Sequence, residues 1–235
     1  MDNNILKELG LQNLKILKRF EGYFSINYLI KYKNKNAVFS IPKEKKREYI
    51  AAKLGEFFYY YNLRETKIVP EIFETNIILR KRYVTYSGEY PFIIREWKRG
   101  NPIENIDRDF VNNFSKIIAK VHSVSKSEKA KIPQYKEVKG KLRYEFTEVK
   151  NKYRAFYRSF IKPAQHYFTE DTKSMLNFIV ENYKKFLKEV PKMYILSHGD
   201  LSPLNILKSG GKYFIIDASF SMVIFPHYDF IKFYR

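Results

Sequence analysis

Cysteine is absent from the 235-residue chain, which excludes a disulfide framework and any thiolate metal site. Histidine is scarce, with four in all, and none has the H-E-x-x-H neighbour that zinc hydrolysis would need. Glycine and proline, nine each, are few beside the abundant Lys, Ile, Asn, Tyr and Phe, a skew that compositional drift also gives. No run approaches the roughly 18 apolar residues of a membrane span. Met1 to Gly10 carries acids and lacks the apolar stretch of a signal peptide, so a cytoplasmic location is expected.

Hydrophobic residues make up 45% of the chain, enough to bury a substantial core. Its 44 basic side chains outnumber 25 acidic ones, for a formal charge of +19. Such a field attracts polyanions: nucleotides, nucleic acid or an anionic membrane face. No nucleic-acid recognition motif accompanies the charge, so no specific nucleic-acid partner is expected.

Along the chain, Ile16 to Phe20, Ile26 to Tyr32 and Ala37 to Ile41 read as strands. The first turn between them is Glu21-Gly22-Tyr23-Phe24-Ser25. Over Glu44 to Asn62, Ile50, Leu54, Phe57, Phe58 and Tyr61 mark one face of a helix. Ile77 to Tyr86 and Phe92 to Trp97 read as two further strands around Ser87-Gly88. Gly100-Asn101-Pro102 is the expected boundary, dividing an N-terminal sheet lobe (1–98) from a C-terminal helical lobe (99–235). Beyond it the pattern is mainly helical. Phe110, Phe114, Ile117, Ile118 and Val121 form one face, Leu142 to Phe160 is a basic, aromatic helical stretch, and Met175 to Val190 forms another face. A strand at Tyr194 to Leu196 and a hairpin of 205–207 with 212–216 follow. The expected fold class is α+β: a bilobal plan, a small antiparallel sheet with one helix joined to a larger, mainly helical lobe.

The chemistry concentrates in His198-Gly199-Asp200-Leu201-Ser202-Pro203-Leu204-Asn205, followed by Asp217. Magnesium prefers oxygen ligands and needs only one or two from protein when phosphates supply the rest. Asn205 and Asp217 suit that role, leaving Asp200 free to accept a proton from an attacking hydroxyl. Phosphoryl transfer asks mainly for such positioning and charge neutralisation.

These residues resemble the H-x-D-x-x-x-x-N loop and following I-D motif of the aminoglycoside phosphotransferase/choline kinase family, which has a protein-kinase-like fold. The resemblance runs from about Phe20 to Asp229 in element order, with specific motifs only near the end. It implies that Asp200 is the catalytic base, that Asn205 and Asp217 hold Mg²⁺, and that His198 braces the loop. Pro226 and Asp229 resemble a segment whose Asp steadies that loop. Gly22, Tyr23, Phe24 and Ser25 fall where the family has its phosphate-covering turn, with one glycine in place of several. Glu48 resembles the helix carboxylate that pairs with a strand lysine, and Glu96 and Trp97 lie on the strand whose backbone would meet adenine.

Two departures stand out. Ser40 occupies the position of the strand Lys or Arg that orients the α- and β-phosphates in that family, so that either Lys43 or Lys31 substitutes from nearby, or the register slips, or phosphate binding is impaired. Family members usually continue with helices beyond the P-x-x-D segment, whereas the sequence here runs to Arg235. The resemblance implies an ATP- or GTP-dependent kinase acting on a hydroxyl. The basic stretch 136–162 favours an anionic acceptor, a phosphorylated sugar or glycan, with peripheral contact to an anionic membrane. The alternative is a pseudokinase, a nucleotide-binding scaffold lacking the strand Lys.

Overall fold

The computed structural model describes residues 14–81, 83–125, 131–148, 194–219, 221–224 and 229, with isolated positions at 6, 7, 9, 169–171, 174 and 178. The pattern of bulky alternating residues gives strands β1 (Lys15–Glu21), β2 (Ser25–Tyr32) and β3 (Lys35–Pro42). The β2–β3 turn is made by Lys33 and Asn34, both with positive φ, as two-residue hairpins require. Helix α1 spans Arg47–Leu63, and after it come β4 (Ile72–Thr75), β5 (Ile77–Leu79), β6 (Tyr83–Tyr86) and β7 (Ile93–Glu96).

The first sheet has the order β1-β2-β3-β7-β4 and is antiparallel throughout. The 77–86 stretch is therefore not one strand paired with 92–97. It folds on itself as the β5–β6 hairpin, and β7 inserts between β3 and β4. Asn76 drives this divergence. Its amide donates to the carbonyls of Ser87 and Tyr90 and its oxygen accepts from the Phe92 N–H, so the 87–91 loop is tied down apart from both sheets.

The expected single apolar face of α1 is also corrected. Ile50 through Phe57, then Tyr59, Tyr60 and Leu63, are all buried, because the helix is covered on nearly every side. Its cover includes β9 (Lys131–Val138) and β10 (Lys141–Glu148), a hairpin turned at Lys139-Gly140 with both φ positive. The expectation of a helix from Leu142 fails over its described part. Leu142 and Tyr144 alternate inward against Arg143 and Glu145, which is a strand period. The rest of that stretch, and the helical face expected at 175–190, lie outside the described residues apart from Phe178.

Of the remaining elements, the helix around 110–121, the strand at 194–196 and the hairpin of 205–207 with 212–216 match expectation. The strands at 101–102 and 222–224 were not foreseen, and the mainly helical character expected beyond Gly100 is not borne by the described residues, where one α-helix stands among strands. Helix α2 (Arg108–Val124) buries Phe110, Phe114, Ile118 and Val121, and Asp107 caps it by accepting the Phe110 N–H at 2.6 Å. Then come β11 (Ile195–Ser197), β12 (Ile206–Ser209), β13 (Lys212–Ile215) and β14 (Met222–Ile224). A short strand, β8 (Asn101–Pro102), pairs with β12. The second sheet has the order β11-β14-β9-β10-β6-β5, so the β9–β10 hairpin bridges the early β5–β6 hairpin to the late β11–β14 pair. Tyr144, fully buried, donates to the Ser221 carbonyl, and the Ser221 hydroxyl donates to the Gly55 carbonyl of α1. The helix and the segment after Asp217 are thereby fixed to one another.

Gly100 sits where the chain passes against β12: a Cβ there would lie 2.6 Å from the Lys208 carbonyl oxygen. Gly100→Ala should therefore force β8 off β12 and cost about 1–3 kcal/mol. At this size about 1 kcal/mol moves Tm by roughly 2–4 °C, so thermal unfolding reads the effect directly. An unchanged Tm would mean that the two strands do not approach so closely.

Candidate active site

The loop after β11 is shaped by a single buried carboxylate. Asp229 accepts the Ser197 hydroxyl at 2.7 Å, the His198 N–H at 3.0 Å and the Gly199 N–H at 3.0 Å. Gly199 takes a φ of +83°, which a side chain would resist. His198 is fully buried and spans the loop: Nδ1 accepts the Asp200 N–H at 3.3 Å and Nε2 lies 2.8 Å from the Ile216 carbonyl. That pattern assigns the proton to Nε2. Pro226 lies outside the described residues.

This bracing gathers the three sequence-predicted groups. The Asn205 amide donates to the Asp200 carbonyl at 2.8 Å, and the Ile216 N–H donates to the Asn205 carbonyl at 2.9 Å, one residue before Asp217. Asp217 itself adopts φ +61°, an uncommon conformation that Asp tolerates better than most. Its N–H donates to the Tyr60 hydroxyl at 2.9 Å, and one of its carboxylate oxygens accepts from Ser219 at 2.9 Å. Successive tyrosines of α1 thus hold both halves of the site. Tyr60 reaches Asp217, and Tyr59 meets the His198 ring edge-on at 5.3 Å.

The donor set suits magnesium. Among the described residues no group of three or more His, Asp or Glu could hold a metal alone. One exposed carboxylate, at Asp217, with one oxygen engaged by Ser219, and one amide oxygen, at Asn205, are on hand. That is the sparse protein contribution expected where phosphates complete the shell. The Asp200 carboxylate, half-buried, takes part in no hydrogen bond or ion pair with a described residue.

The Gly22 turn faces this centre. Gly22, Tyr23, Phe24 and Ser25 line a cavity of about 150 Å³ together with Asn27, Glu56, Arg95, Ile216 and Asp217. The turn is closed by the Gly22 N–H on the Ser25 carbonyl, and Tyr23 projects from it 80% exposed. Glu48, Glu96 and Trp97 are not brought into that cavity. Glu48 is exposed in the first turn of α1. Glu96 pairs with Lys98 at 2.6 Å and faces a separate cleft of about 1030 Å³. Trp97 stacks on Phe20 at 5.9 Å.

The sequence reading missed a buried charge cluster above the cavity. Ser40, fully buried, donates to Asn27 at 2.6 Å and accepts from the Lys53 ammonium at 2.5 Å. Lys53 also pairs with Glu56 at 2.5 Å, and Arg95 lies 3.5 Å from the other Glu56 oxygen. Lys53 and Glu56 are three apart on one helix, the spacing that brings side chains together. That spacing, inside an apolar helix, was the available signal. Neither Lys43 nor Lys31 lines the cavity; Lys43 pairs with Glu21 in solvent, and Lys31 is exposed.

Burial acts to raise the Glu56 carboxyl, but Lys53 and Arg95 outweigh it and hold the group below its ordinary 4.5. A carboxyl lowered by folding adds stability that is complete above the unfolded value and is lost as pH falls through the folded one. Glu56→Gln leaves two buried cations facing no carboxylate and should cost about 3–5 kcal/mol near neutrality. The gap in thermal stability between wild type and Glu56→Gln should narrow as pH drops below about 4.5. A gap independent of pH would place the Glu56 charge outside the stability of the fold.

No family model and no curated protein matches the chain. Solved structures are similar in fold. A thermostable mutant of the aminoglycoside phosphotransferase APH(4)-Ia, in complex with AMP-PNP and hygromycin B, superposes with TM-score 0.63 at 12% identity, covering 97% of this chain and 74% of that one. The choline kinase LicA from Streptococcus pneumoniae gives 0.59 at 16%, covering 100% and 74%. A putative fructosamine-3-kinase from Haemophilus somnus 129PT gives 0.58 at 16%, covering 96% and 72%. At such identities the likeness establishes the fold, and that fold is the bilobal protein-kinase-like one of the aminoglycoside phosphotransferase and choline kinase structures.

Proposed function

We propose that the protein is a magnesium-dependent phosphotransferase that moves the γ-phosphoryl group of ATP or GTP to a hydroxyl of a small molecule or glycan. The observation that carries this reading is the Asp200 carboxylate, free of described partners while its backbone is tied to Asn205 and, through Asn205 and Ile216, to Asp217. Asp200 accepts the proton of the attacking hydroxyl. Asn205 and Asp217 hold Mg²⁺, which neutralises charge on the phosphates when bound. The Gly22 turn lies across the cavity from Asp217, where backbone N–H groups can meet phosphate oxygens. The similar solved structures, with AMP-PNP and an aminoglycoside in one of them and choline kinase among the others, support the same reaction class.

For the acceptor, the +19 charge favours an anion such as a phosphorylated sugar. Over its described part the basic stretch 136–162 does not offer its aromatic side chain to an acceptor. Tyr144 is fully buried, and Tyr135 packs against it at 5.4 Å. The acceptor preference therefore rests on long-range charge alone, which also suits peripheral contact with an anionic membrane. Among the described residues no helix is long and apolar enough to cross one.

Asp200→Asn tests the chemistry. Magnesium-dependent transfer from ATP or GTP to hydroxyl acceptors, phosphorylated sugars included, should fall by roughly 10²- to 10⁴-fold, the usual worth of a positioned proton acceptor. Equal turnover would remove Asp200 from the mechanism. Ser40 favours a second reading, the scaffold that binds nucleotide without transfer; tight Mg-ATP binding by a wild type inactive on every acceptor would establish it.

A further inference from the structure

The cavity under the Gly22 turn carries a cation that the strand position does not supply. On β3, Ser40 faces α1 and is the cross-strand partner of Ile93. Arg95 lies two residues further along β7, on the same face, and so is the diagonal neighbour of Ser40. A diagonal of roughly 7–8 Å between backbones is within reach of an extended guanidinium. Arg95 lines the cavity, and Lys53 does not.

The charges around this point do not cancel. Lys53 and Arg95 are two buried cations, and Glu56 is the one buried carboxylate between them. Lys53 is committed twice, to Glu56 and to Ser40. Arg95 is held more loosely: its buried Nε lies 3.5 Å from a Glu56 oxygen, an ion pair that falls short of a hydrogen bond. The plane of its guanidinium lies over the Tyr60 ring at 5.8 Å. Glu56 and Tyr60 act to hold Arg95 charged against the burial that would discharge it. Asp217 supplies the other nearby negative charge, but that carboxylate is the group a bound metal would neutralise. A buried guanidinium that borders a cavity and has few hydrogen-bond acceptors of its own suits an anion within the cavity, the more so once a metal takes up the Asp217 charge.

The geometry points to Arg95 as the residue that binds the nucleotide's α- and β-phosphates, with Lys53 and Glu56 fixing its position and Ser40 vacated to admit the Lys53 ammonium. The cation has moved one strand across the sheet. Its fork meets two phosphate oxygens at once, which a single ammonium does not. This inference rests on the proposed phosphotransferase reading for its ligand, but it makes a claim about binding that holds whether or not transfer occurs.

Calorimetric binding of Mg-ATP and of adenosine to wild type, Arg95→Met and Arg95→Lys separates the two. Mg-ATP affinity should fall roughly 100-fold in Arg95→Met and roughly tenfold in Arg95→Lys, with adenosine affinity unchanged in both. Equal loss of adenosine and Mg-ATP binding would make Arg95 a structural residue only. Undiminished Mg-ATP affinity in either variant would overturn the assignment outright. If Arg95→Met does not fold, Arg95→Lys, which keeps the charge facing Glu56, decides alone. A wild type that binds Mg-ATP through Arg95 but transfers to no acceptor would sink the phosphotransferase reading and leave this one standing.

Discussion

A carboxylate sealed from water must be answered by positive charge, and Glu56 is 2% exposed in the middle of a helix that is itself buried. Everything above the cavity follows from meeting that demand. Lys53 supplies one cation from the same helix, and its ammonium then needs a further acceptor, which Ser40 provides from β3. Arg95 supplies the second from β7. The cluster therefore ties α1 to two adjacent strands of the first sheet. A buried ion pair of this kind adds little net stability over an apolar substitute, although breaking it is costly. Its presence here is better understood as fixing where α1 sits.

The position of α1 is transmitted to the loop after β11 through two tyrosines. Tyr60 receives the Asp217 N–H and lies in hydrogen-bonding reach of Glu56, so the charge cluster and Asp217 share one hydroxyl. Burial pushes that hydroxyl far above its usual titration range, so it remains protonated and able to donate. Tyr59 packs on His198, whose ring in turn holds Asp200 and Ile216. On the far side Asp229 fixes the same loop through three hydrogen bonds. The Asp200 carboxylate is left without a described partner in an otherwise committed network, the arrangement that the proposed proton acceptor would need in order to act without reorganisation.

The proximity of Asp200, Asn205 and the segment before Asp217 was legible in the sequence because its spacing is local. Asp200 and Asn205 lie five residues apart, and the intervening Ser202-Pro203 turn leaves few alternatives for the backbone. The β12–β13 hairpin that carries Asp217 likewise announces itself through Gly210-Gly211. The charge cluster was not legible. Glu48, near the start of α1, drew attention as an acid on a helix, whereas burial selects Glu56, and burial depends on β10 and the 217–221 segment packing over the helix from far along the chain. The same non-local packing defeated the reading of Leu142 to Glu148: basic and aromatic residues in series fit a helix as well as a strand until Tyr144 is seen reaching Ser221. The 77–86 hairpin was missed for a local reason, since three side-chain bonds from Asn76 outweigh the turn signal of Ser87-Gly88.

Ser40 alone argues for a fold that has lost its catalytic charge. Its surroundings argue differently. A lysine at position 40 would compete with Lys53 for the same fully buried space and for the same Glu56 oxygen, so the serine and Lys53 are two halves of one arrangement. A buried guanidinium whose Nε meets a Glu56 oxygen only at ion-pair distance leaves donors that an anion in the cavity could complete. The substitution at Ser40 is therefore better read together with Lys53 and Arg95, as a charge redistributed over the same wall of the cavity, than as a position lost by itself.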